Sequence, residues 1–194
     1  MCRELKSSVP CGVRGDYRVE KFWVDSQQAQ ISAIRALASG RGYVPSGEYT
    51  KLVKYDDIWM SDTPDECLDI AKNLREAYGV VRLNGLGLGL CAEYLLGRER
   101  VSKVIAVDIS VEVIELVYPT LKRLYGEKIE VRNEDVLKVK PKKSERYDVV
   151  YHDIWRSICA SNLDEMKFLT RRYATKAAFQ SCWCRRECER VSRG

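Results

Sequence analysis

Three glycines alternate with apolar residues in Asn84-Gly85-Leu86-Gly87-Leu88-Gly89, the most chemically suggestive run of the chain. Glycine at a tight strand-to-helix turn permits unusual dihedrals, and it removes the Cβ that would keep a ligand from the peptide N–H groups. Asp108 closes the next apolar segment, 19 residues after Gly89. An acid so placed accepts hydrogen bonds from both ribose hydroxyls of an adenosine-containing ligand lying across a sheet edge. Read without that ligand, the run is a tight turn followed by a solvated strand-end acid. The spacing is G-x-G-x-G, whereas dinucleotide sites usually show G-x-G-x-x-G. Further on, the apolar run Val149-Val150-Tyr151 ends abruptly in His152 and Asp153. A carboxylate there favours a nearby cation or takes a proton, and its ordinary alternative is a cap for the turn at Ile154. His152, the single histidine, is a second candidate base because imidazole titrates near neutrality. A satisfied structural histidine is the preferred reading for it.

These residues need elements to position them. Residues 1–26 read as a loosely ordered arm with Pro10, Gly12 and Gly15 close together, followed by a helix from Gln27 to Ser39 between a Ser26 cap and Gly40. Residues 48–60 alternate as a β-hairpin around Asp56 and Asp57. "SDTPDECLDIAKNLREAY" is a capped helix with Pro64 in its first turn and a Cys67, Leu68, Ala71 and Leu74 stripe. "VVRL" is a strand running into the glycines, and "LCAEYLLG", "VSKVIAVD" and "SVEVIELVYPTLKRLYG" follow as helix, strand and helix, the last kinked or split at Pro119. "KIEVRNEDVL" and "RYDVVYHDIW" are strands, and the helix "SNLDEMKFLTRRYATKAA" turns Leu163, Met166 and Leu169 inward. "AAFQSCWC" supplies a fifth strand. Short apolar strands alternating with helices predict an α/β protein, a Rossmann-like parallel sheet covered by helices. The expected division is residues 1–46 as arm and helix, and 47–194 as the ligand-binding domain with a short Cys/Arg-rich tail.

Composition narrows the class. Among 194 residues, 45% are apolar and 31% charged, the balance of a folded globular protein. A net charge of +5 permits an anionic partner without identifying one. No apolar run is long enough to span a membrane, and the first residues lack the apolar core of a signal peptide, so a cytoplasmic location is expected. The eight cysteines include Cys182, Cys184 and Cys188 in a C-x-C-x3-C pattern. That is not the paired C-x2-C of a zinc finger, and free thiols are expected, with a disulfide or a metal site as the alternatives. Trp183, Arg185, Arg186 and Arg190, with Arg171 and Arg172, are a weakly supported nucleic-acid patch, interrupted by Glu187 and Glu189.

The glycine run and the elements around it resemble the class I S-adenosylmethionine-dependent methyltransferases, and within them the spermidine-synthase-like branch. The resemblance covers about residues 47–173, with the hairpin and "MSDTPDE" matching the lead-in of that branch. It implies S-adenosyl-L-methionine as cofactor, the loop of Asn84, Gly85, Gly87 and Gly89 under its methionine part, and Asp108 on the ribose with Ile109 beside it. Asp135 and Val136 then approach the adenine, and Asp153 lies at the reacting group. The implied activity is methyl transfer to an unidentified acceptor. A non-catalytic adenosine-ligand or protein-interaction module on the same scaffold is the alternative. Aminopropyl transfer is the lesser reading, because the glycine loop carries no acid suited to a polyamine. Asn84 stands where many methyltransferases place an acid. Only 41 residues follow Asp153, too few for the last strands of the full fold. A shortened sheet is therefore expected, its pocket wall completed by the arm, the tail or another subunit in a homo-oligomer.

Overall fold

A computed structural model describes residues 5–193. The chain opens with β1 (Gly12–Arg14), β2 (Tyr17–Val24), α1 (Ser26–Ser39), β3 (Gly47–Lys54) and β4 (Asp57–Ser61). The four strands form one antiparallel sheet in the order β1-β2-β3-β4. The hairpin expected at 48–60 is thus present, but the arm is not loose. β2 pairs with β3 along its whole length, from Tyr17 opposite Lys54 to Val24 opposite Gly47. A boundary between residues 46 and 47 would therefore fall inside a single sheet. The cap of α1 is Asp25 rather than Ser26. Its carboxylate accepts from the Gln28 N–H at 2.8 Å while the Gln28 side chain accepts from the Asp25 N–H at 3.0 Å, a reciprocal capping box. Gly40 closes the helix with φ 73°.

The second half alternates: α2 (Pro64–Leu74), β5 (Gly79–Asn84), α3 (Leu90–Leu96), β6 (Val101–Asp108), α4 (Val111–Tyr125), β7 (Ile129–Asn133), β8 (Tyr147–His152), α5 (Asn162–Tyr173), β9 (Ala177–Cys182) and α6 (Arg185–Val191). Its strands make a parallel sheet in the order β7-β6-β5-β8-β9 flanked by helices, the Rossmann-like α/β arrangement expected from the sequence. β5, β6 and β8 are near-continuous apolar runs because helices cover both faces. In α2, Ile70 and Leu74 turn inward and Leu68, expected in the stripe, is exposed. α4 continues through Pro119 without splitting, and Met166, Leu169 and Tyr173 are the buried face of α5.

The two sheets share a core. Val9, Tyr17, Val19 and Leu52 belong to the same apolar cluster as Leu83, Leu88 and Val117. The chain leaves β5, steps outward to β6 and β7, then returns to β8 on the other side of β5. That reversal opens a crevice at the carboxyl ends of β5 and β8, where open α/β sheets take their ligands. Among the described residues, no helix is long and apolar enough to cross a membrane, and no group of three or more His, Cys, Asp or Glu is placed to hold a metal.

Candidate functional site

The glycine loop leaves the end of β5 and is held by its neighbours. Gly85 has φ 107°, and a Cβ there would run into the carbonyl oxygen of Asp153, so the loop and the exit of β8 meet backbone to backbone. Gly87 has φ 50°, and its missing Cβ faces the sulfur of Met60 from β4. Gly89 instead packs on Val117 of α4, outside the cavity. Asp108, at the end of β6, pins the loop. One carboxylate oxygen accepts from the N–H groups of Leu86 at 2.9 Å and Gly87 at 3.4 Å, and the other accepts from Ser110 at 2.9 Å.

Above the loop lies a cavity of about 360 Å3, within the range of small-ligand sites. Asp108, Ile109, Asp135 and Val136 line its side over β6 and β7, and Gly85, Gly87 and Asp153 line its centre and its β8 side. Seven of the residues singled out from sequence thus converge on one space. Its roof comes from Leu52, Trp59 and Met60 of the N-terminal sheet and from Glu66 and Ile70 of α2. Trp155 and Trp183 complete the walls. The wall expected from the arm or tail is built by β3, β4 and the segment after β9.

The cavity is acidic. Among the described residues, Glu66, Asp108, Glu134, Asp135, Asp153 and Glu165 line it against a single cation, Arg156, which is paired with Asp57 at 2.9 Å. Several of these acids are already engaged. Glu165 accepts from the indole N–H of Trp155 at 2.8 Å, Glu134 lies 3.6 Å from the buried Arg82, and Asp135 accepts from the Leu137 N–H and pairs with Lys138. Asp153 differs. Among the described residues its carboxylate accepts one hydrogen bond, from the thiol of Cys91 at 3.9 Å, and burial pushes its pKa up to about 7. Among the described residues no backbone N–H donates to the carboxylate, so it caps no helix, and its own N–H is bonded to the Asn84 carbonyl at 2.7 Å. Burial also pushes Glu66 to about 7, although the Ser61 N–H and hydroxyl both donate to it at 2.9 Å. The charge of Asp153 adds to that rise.

Glu66 was missed as a site residue. Its position three after Thr63 is that of a capping-box acid, yet its side chain turns to Ser61 and the cavity. The corresponding signal was a helix start directly after a hairpin, which is shared by many folds.

Asn84 and His152 do not line the cavity. Both are wholly buried beneath it. The Asn84 amide donates to His152 Nδ1 at 2.8 Å and accepts from Arg82 Nε at 2.9 Å, and His152 Nε2 faces the Gln180 carbonyl oxygen at 3.3 Å. Both ring nitrogens are thus used, and burial lowers the imidazole to about 4, so the ring is neutral and structural. Of the basic run, Arg171 and Arg172 line one surface hollow with Lys140 and Lys176, and Arg185 and Arg186 line another. Trp183 packs on the core, Arg172 donates to the carbonyls of Val136 and Val139, and Arg185 pairs with Glu189. Cys182, Cys184 and Cys188 are buried free thiols, Cys184 with φ 45° and its sulfur donating to Asp69 at 3.4 Å. Cys2 lies outside the described residues.

No protein-family model matches the chain, and no curated protein matches its sequence. Solved structures do match. Coclaurine N-methyltransferase bound to N-methylheliamine and SAH is 17% identical, with 58% of this chain and 32% of that chain covered and a TM-score of 0.46. The N-methyltransferase NodS from Bradyrhizobium japonicum WM9 is 13% identical, with 58% and 61% covered and a TM-score of 0.44. TrmK of M. capricolum in complex with SAH is 15% identical, with 58% and 47% covered and a TM-score of 0.45. The chain thus spans between about a third and three fifths of the length of these structures.

Proposed function

We propose that the cavity binds S-adenosylmethionine and that the protein transfers its methyl group to a small cationic amine. The observation that carries this reading is the convergence of the glycine loop, Asp108 and Asp153 on one cavity at the sheet's reversal point. The cavity lining suits the cofactor: Asp108 would hold the ribose, Ile109 and Val136 would offer apolar surface to the adenine with Asp135 for its amino group, and the carboxylates would favour a cationic sulfur. When bound, S-adenosylmethionine supplies an electrophilic methyl carbon on a sulfonium, which departs as a thioether once attacked. The chain's own residues then do three things. The loop fixes the direction of approach. Glu66 and the indoles of Trp59 and Trp155 hold a cationic acceptor by charge and cation–π attraction. The ionised Asp153 would take a proton from the cationic nitrogen first, freeing the lone pair that attacks the methyl carbon. Six carboxylates disfavour a phosphate backbone at the same mouth.

A second reading, binding without chemistry, is favoured by Asn84: it is locked into the buried network and leaves no acid behind the first glycine. Titration calorimetry with S-adenosylmethionine and S-adenosylhomocysteine, alongside Asp108→Ala, tests the cofactor claim. Saturable binding lost by the variant is expected, and no binding of either at millimolar concentration would sink it. Turnover with a panel of amines separates the two readings, because the binding module takes the cofactor and methylates none.

A further inference from the structure

Every backbone N–H of the glycine loop has a partner within the chain. The Val107 carbonyl takes that of Gly85, the Asp108 carboxylate those of Leu86 and Gly87, and the Leu86 carbonyl that of Gly89. The N–H of Leu88 donates to the thioether of Met60, with Sδ 3.2 Å from the nitrogen. Met60 reaches the loop from β4, and its sulfur stands 2.7 Å from the position that a Cβ on Gly87 would take. The room left by the glycine is therefore filled by a side chain of the other sheet. A thioether is the weakest acceptor of this set, and methionine is unbranched with three rotatable bonds. Met60 is the partner that can leave. The groups assigned to adenosine follow β6 and β7, whereas Met60 meets the loop after β5.

On the reading that the cavity takes S-adenosylmethionine, we propose that Met60 is a displaceable plug over the glycine loop that sets the affinity for the amino-acid end of the ligand. A ligand carrying that end binds only when Met60 has swung aside, and its affinity is reduced by the fraction of molecules in that state. A ligand without it binds with Met60 in place.

The test is calorimetric titration of the full chain with S-adenosylhomocysteine and with adenosine, for the wild type, Met60→Ala and Met60→Leu. Met60→Ala is expected to tighten S-adenosylhomocysteine by about tenfold, the gain from freeing a state populated one time in ten, and to leave adenosine unchanged. Met60→Leu keeps the bulk and is expected to stay close to the wild type. Retained adenosine binding and a cooperative melt show that Met60→Ala is folded. If it does not melt cooperatively, Met60→Val, suited to a strand but too short to reach Leu88, carries the same expectation. Equal or weaker S-adenosylhomocysteine binding by the variant, with adenosine bound by both proteins, overturns the plug and leaves the cofactor reading standing. Binding of neither ligand by either protein overturns both.

Discussion

Replacing Asp153 by asparagine separates a working carboxylate from a structural one, because the two roles predict opposite changes in stability. Among the described residues the carboxylate accepts one weak hydrogen bond, from a thiol, and none from an N–H, and burial raises its pKa from 3.8 to about 7. Below about pH 3.8 both folded and unfolded chains carry the proton, and the group has no effect on stability. Between that pH and about 7 the unfolded chain ionises alone, so stability falls by about 1.4 kcal/mol for each pH unit. Above about pH 7 both states are ionised and the cost is constant, with an upper bound of about 4 kcal/mol. Water admitted to the cavity solvates part of the charge, so the isosteric, neutral Asp153→Asn is expected to be more stable than the wild type by about 1–3 kcal/mol at pH 8. The gain should be smaller at pH 5. Urea unfolding at both pH values reads the difference, and turnover of the amine substrate should be lost in the same variant. A variant that is equally or less stable at pH 8 would refute the reasoning, because it would mean that the folded state stabilises the ionised carboxylate.

The same ionisation predicts that turnover of the wild type rises with pH through about 7, since Asp153 accepts a proton only when charged; a rate already at its plateau at pH 5.5 would contradict the assignment. Glu66→Gln should leave S-adenosylhomocysteine binding unchanged and raise the KM of a cationic acceptor by about tenfold, the loss of a charge-assisted contact, as steady-state kinetics would show. His152→Ala should cost about 2–4 kcal/mol in urea unfolding, because it opens a void and strands the Asn84 amide and Gln180. The folded variant should keep its ligand affinity, and a loss of turnover with stability intact would restore His152 as a base.

The parallel half of the fold was legible because its signals are local. β5 and β8 are short apolar runs with abrupt polar ends, and Pro64 and Ser110 mark helix starts within a turn of the first helical residue. The N-terminal sheet was half hidden. β2 reads Tyr-Arg-Val-Glu-Lys-Phe-Trp-Val, in which the inward Tyr17 and Val19 fall out of step with the inward Val24, and Trp23 points to solvent. Its partner β3 lies beyond the whole of α1, so the pairing that makes it a strand is non-local and leaves no mark on the segment itself.

The site divides in a parallel way. Gly85, Asp108 and Asp153 announce themselves because each sits at the carboxyl end of a strand or just beyond it, where sequence order fixes spatial order. Met60 and Trp59 enter the cavity only because the antiparallel sheet folds over the crevice, and Glu66 because α2 follows that sheet directly; nothing in their local pattern separates them from ordinary hairpin and helix-start residues. Residue identity also left roles open that packing decides. Asn84 looks like a weakened cofactor ligand but is the hinge of a buried Arg82–Asn84–His152 chain, and His152, the one side chain with a suitable ordinary pKa, is the group that burial removes from acid–base work. Asp153 follows the opposite course: its ordinary pKa is far too low for a base near neutrality, and the burial that silences the histidine beside it brings the carboxylate to about 7. Burial thus moves two adjacent residues in opposite senses, the imidazole away from neutrality and the carboxylate towards it.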